Sequence, residues 1–62
     1  MSARAELARL VLQMLKEGQP VPAHDALQLR NWAIDPEDAL LPLAEIAIRI
    51  LRQEENQTSH LA

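Results

Sequence analysis

Few residues of this chain are equipped for chemistry. The candidates for a base or a nucleophile are His24, His60, Ser2, Thr58 and Ser59, and the sequence contains neither cysteine nor tyrosine. Nucleophilic catalysis needs the nucleophile beside a base, and the base held by a third group. His24 stands near a helix start next to Asp25, and His60 falls in the polar last residues, so no such constellation is expected. The acidic residues Asp35, Glu37 and Asp38 are the one cluster with metal-ligand chemistry. Calcium loops space their oxygen ligands around a glycine at a sharp turn, and Pro36 interrupts that pattern. Capping accounts for all three acids: Asp35 as an N-cap, Pro36 at N1 where no N–H is needed, and Glu37 and Asp38 at the positive end of the helix dipole. The reading is therefore a non-enzymatic chain with no cofactor and no metal.

What remains is contact chemistry. Trp32 is the single aromatic residue, and beside Arg30 and Asn31 it suits either the plug of a small core or an anchor on a partner surface. Trp32 and Arg30 are the candidate partner contacts. The first two helical stretches and their Pro-containing connector resemble a helix-turn-helix in outline, which would give Gln28, Arg30 and Asn31 access to base edges. Against this, the connector Gly18 to Pro22 holds two prolines, Asp25 offsets Arg30, and no Lys/Arg cluster flanks the candidate reading helix. The formal net charge of −3 also repels a phosphate backbone. A small helix-turn-helix DNA-binding regulator is the alternative, with nucleic acid the less favoured partner.

The elements follow from periodicity and punctuation. From Ser2 to Glu17, Leu7, Ala8, Leu10, Val11, Met14 and Leu15 recur at helical spacing opposite Glu6, Arg9, Gln13 and Lys16. Ser2 is placed to cap this helix, and Gly18, the sole glycine, to end it in the left-handed conformation. Gln19-Pro20-Val21-Pro22 is a rigid connector. Pro22 opens a second, shorter helix to about Ala33, with Ala26, Leu29, Trp32 and Ala33 facing inward.

The third helix, Asp35 to Glu54, organises the chain. Ile34 before the cap is expected to pack on Ala39 as a hydrophobic staple, and Pro42 to kink the helix or to set a first turn apart from a main rod starting at Leu43. Taken as one wheel at about 100° per residue, its apolar side chains fill an arc of roughly 220°, against a little over about 100° for a helix lying on a core. Leu40, Ala47 and Leu51 sit in the middle of that arc and are expected to pack on the first two helices. Ile46 with Ile50 on one flank, and Ile48 with Leu41 on the other, are the candidate self-association interface. Glu45 and Arg49 form a favourable i,i+4 pair.

A chain of 62 residues without cysteine hides only about 60% of its unfolded surface and has no disulfide to add, which leaves association as the staple. The apolar share is 48% with an aromatic share of 2%, a balance that favours helix over sheet. No apolar run reaches the roughly 18 residues of a membrane span, and the start MSARAEL lacks the order of a secretory signal. The sequence thus reads as all-α, a small three-helix unit (long, short, long) assembled as a helical homodimer. One domain covers 1–54 and a polar, disordered tail covers 55–62. Its expected role is a cytoplasmic protein–protein interaction module, an accessory, adaptor or regulatory subunit whose partners are itself and another protein.

Overall fold

The computed structural model describes residues 2–33 and 35–61, with side chains described as far as Asn56. Three α-helices follow one another, α1 (Ala3–Lys16), α2 (Ala23–Asn31) and α3 (Leu43–Leu61), with a single 3-10 turn (Asp38–Leu40) before α3; no strand occurs among the described residues. The all-helical expectation holds.

Both ends of α1 are set locally. The Ser2 hydroxyl accepts the Ala5 N–H at 3.2 Å and donates to Glu54 Oε1 at 2.7 Å, so one side chain caps α1 and ties its start to the far part of α3. At the other end Gly18 takes φ +74°, the Gly18 N–H reaches the Leu15 carbonyl at 3.2 Å and the Gln19 N–H reaches that of Met14 at 2.9 Å. That double bond pattern is a Schellman stop, and it needs a residue that tolerates positive φ. The second helix begins one residue later than expected: Pro22 is its N-cap, with its carbonyl accepting from Asp25 and Ala26 at 3.0 Å each.

The segment before α3 departs from the sequence reading. Asp35 does not cap a helix running from Pro36; its side chain is exposed, and its carbonyl accepts the Asp38 N–H at 2.9 Å in a turn. The staple partner Ile34 lies outside the described residues. Leu41 is extended, φ −72° and ψ 162°, as a residue before proline must be. The continuous helix then starts after Pro42, whose carbonyl takes the Ile46 N–H at 3.1 Å. Of the two outcomes foreseen for Pro42, the detached first turn is the one adopted. At its other end α3 carries a helical backbone through Leu61, over most of the segment read as a polar tail.

The core is small. Ala8, Val11, Leu29, Ile46, Ala47 and Ile50 form one buried cluster, with Leu7, Leu12, Val21, Trp32, Leu41, Leu43 and Leu51 packed against it. α1 and α3 make the principal pair, and α2 lies against both. The molecule measures 37 × 25 × 15 Å between Cα atoms. A depth of 15 Å fits two helix layers at an axial spacing of about 8–10 Å, so each helix keeps a side towards solvent.

Gly18→Ala isolates the α1 stop, because an added Cβ would meet nothing within 4 Å and only the backbone conformation is charged. The expected loss is about 1–2 kcal/mol, read as a lower urea midpoint with an unchanged slope at fixed protein concentration. An unchanged midpoint would show that the φ of +74° is not required.

Candidate functional site

Arg30 sits on α2 facing the 3-10 turn, and its Nη1 donates to the Ala39 carbonyl at 2.6 Å and to the Leu41 carbonyl at 2.9 Å. Those carbonyls need an outside donor for a physical reason. Pro42 holds Leu41 extended, which takes the Leu43 and Glu45 N–H groups out of reach of the Ala39 and Leu41 carbonyls, their i−4 partners in an unbroken helix. One guanidinium nitrogen with two protons satisfies both. Arg30 is therefore a half-buried brace between α2 and the α3 entrance, with Nη1 engaged inside the chain. Of its helix-turn-helix companions, Gln28 is half-buried and Asn31 exposed.

Trp32 is the C-cap residue of α2 and packs against the core. It is only partly buried, and the Arg4 guanidinium lies 5.9 Å from its ring centroid, within the range of a cation–π contact. Of the two roles open to Trp32, core plug or partner anchor, the packing is that of a side chain on the edge of the core.

The four candidate interface residues do not share a surface. Ile46 and Ile50 are 1% and 5% exposed and belong to this chain's own core, so they form no free flank. Leu41 is half-buried against that core, while Ile48 is half-buried without joining it. Leu40, expected in the middle of the inward arc, is 85% exposed. The cause is the break at Pro42: residues before it do not continue the wheel of α3, and Leu43, Ile46, Ala47 and Ile50 become its inward face.

Charge is arranged differently from the expectation too. Arg49 pairs with Asp38 across the break, Nη1 to Oδ1 at 3.4 Å, and not with Glu45. Asp38 and Arg49 rim a dimple shared with Ala33, Ile46 and Ile50 that holds about 10 Å³, room for one water at most. His24 is 83% exposed with Nδ1 3.7 Å from Asp25. Thr58, Ser59 and His60 lie outside the described side chains. Among the described residues no group of His, Asp or Glu is gathered as a metal site, and no helix is long and apolar enough to cross a membrane.

Four leucines stand out on the surface. Leu10 is 48% exposed, Leu15 39%, Leu27 61% and Leu40 85%. Leu27 escaped the sequence reading because it lies among polar neighbours on α2. Leu10 belongs to the apolar side of α1 by its spacing, and Ala3, Leu7, Leu10 and Met14 recur in steps of four, three and four residues, which marks a second stripe beside the buried one. No family model matches this chain, and neither the curated proteins nor the solved structures give a significant match.

Removing the brace tests its importance. Arg30→Met keeps most of the stem and loses the donors, and it should cost about 1.5–3 kcal/mol, the range for hydrogen bonds to a charged group. Arg9→Met, at an exposed position, should stay within about 0.5 kcal/mol. Equal urea midpoints for the two variants would remove the brace from the account of stability.

Proposed function

We propose that this chain is a non-enzymatic, cytoplasmic helical module that acts through protein contacts, as a homodimer that also engages another protein. The observation that carries this reading is the exposure of Leu10, Leu27 and Leu40 at 48%, 61% and 85% on a unit whose core is a handful of small and medium side chains. Leaving large apolar residues in water forgoes about 1.5–3 kcal/mol for each one that a partner could bury. A domain this short has few other sources of stability. Of the four residues expected at the self-association surface, Ile46 and Ile50 are used inside the chain and Leu41 packs on its core, which leaves Ile48.

The helix-turn-helix alternative has no geometric observation in its favour. Arg30, the cation among its three reading residues, turns Nη1 to the carbonyls of Ala39 and Leu41.

In sedimentation equilibrium the parent should be a dimer at micromolar concentration. Ile48→Glu should give a monomer with unchanged helical circular dichroism, whereas Ile46→Glu places a charge in the core and should unfold the chain. Nonspecific duplex DNA at low salt should run unshifted beside the protein. A well-folded monomer at millimolar concentration overturns the homodimer, and a clear DNA shift moves the assignment to a regulator.

A further inference from the structure

The outward edge of α3 carries a pattern of its own. With Leu43, Ile46, Ala47 and Ile50 turned inward, Ala44, Ile48 and Leu51 fall on an adjacent edge about 115° around the helix at about 100° per residue. Together with Glu55 they run in steps of four, three and four residues, the spacing of a coiled-coil seam. Ile48 is half-buried without packing on the core, and Leu51 packs against the core while remaining half-buried. Bordering this seam on the side away from the core are Glu45 and Arg52, both exposed, and neither has a hydrogen-bond or ion-pair partner among the described residues.

We propose that a second copy of the chain lies antiparallel along this edge, with Ile48 against the partner's Leu51 and Glu45 against the partner's Arg52. The register follows from the spacing. In an antiparallel seam each a-type residue faces a d-type one, and the positions just outside the seam on one side face their own kind. Setting Ile48 opposite the partner's Leu51 stacks Ala44 on the stem of the partner's Glu55. With that shift Glu45 lies within two residues, about 3 Å along the axis, of the level of the partner's Arg52 on the same side of the seam, and by the two-fold axis Arg52 stands likewise to the partner's Glu45. A parallel seam would instead set Ala47 and Glu54 beside the flanking positions, with Ala47 facing the partner's Arg52 and no opposite charges meeting. Flanking charges choose orientation in such pairs, and a two-fold contact is self-complementary by construction. The charge complementarity therefore selects another copy of this chain over an unrelated helix.

This inference rests on the self-association reading above and adds its face and direction. The test is sedimentation equilibrium on Glu45→Arg, on Arg52→Glu and on their equimolar mixture, with circular dichroism confirming parental helix content. Both positions are exposed, so both variants should fold. Each variant alone places like charges opposite one another and should dimerise about three- to tenfold more weakly than the parent, a range set by exposed ion pairs. The mixture should recover to within about twofold of the parent, because each Arg then meets a Glu. If both variants dimerise as the parent does, the α3 edge is not the interface, while the homodimer itself stands. Weakened variants whose mixture fails to recover overturn the antiparallel register. A parent that stays monomeric at millimolar concentration removes self-association altogether, and with it this arrangement.

Discussion

The break at Leu41-Pro42 is the constraint on which the rest of this structure depends. Proline withholds a donor and forces the residue before it into an extended conformation, here ψ 162° at Leu41. Two consequences follow at once. The backbone oxygens of Ala39 and Leu41 need a new donor, and Arg30 supplies it from α2. The phase of the helix is also reset, so which side chains of α3 face inward is decided from Leu43 onward. Arg30 and Pro42 thus act together: one creates the unsatisfied carbonyls, and the other converts them into a tie between α2 and the entrance of α3.

This break also marks the limit of what the sequence made legible. Features that depend on neighbours along the chain could be read directly. Ser2 caps α1, Gly18 ends it, the two prolines make the connector, and a first turn stands apart from the rod at Leu43. Features that depend on which face meets which helix could not. A wheel drawn from Asp35 assumes one uninterrupted rotation, and on that assumption Leu40 belongs at the centre and Ile46 on a flank. With the rotation interrupted, Ile46 is 1% exposed and Leu40 is 85% exposed. An apolar arc of roughly 220° states that more than one partner is needed, but nothing in it states which sector is taken by the chain's own helices. Arg30 was equally opaque, since its role is created by carbonyls that lie across a turn.

The core chemistry explains why so much apolar bulk ends outside it. Ala8 and Ala47 are fully buried in a core built mainly between α1 and α3, and small residues allow helix axes to approach closely. A close pair has little room between its faces, and Val11, Leu29, Ile46 and Ile50 fill it. Leu10, Leu27 and Leu40 lie outside this core, 48%, 61% and 85% exposed. The sequence therefore contains more large aliphatic side chains than this core uses.

The choice of partner by Arg49 connects these points to the surface. Within α3 it could pair with Glu45 at i,i+4, for a few tenths of a kcal/mol, yet it reaches Asp38 across the break at 3.4 Å. Asp38 is held close by the 3-10 turn, which Arg30 in turn holds to α2, so the contact is available without ordering a second flexible chain. With Arg49 on Asp38, Glu45 on the outward side of α3 has no ion-pair partner among the described residues, nor has Arg52 one heptad further on. The brace behind Pro42 thus fixes the inward face of α3, and through Asp38 it also determines which charges the outward edge of α3 has to offer.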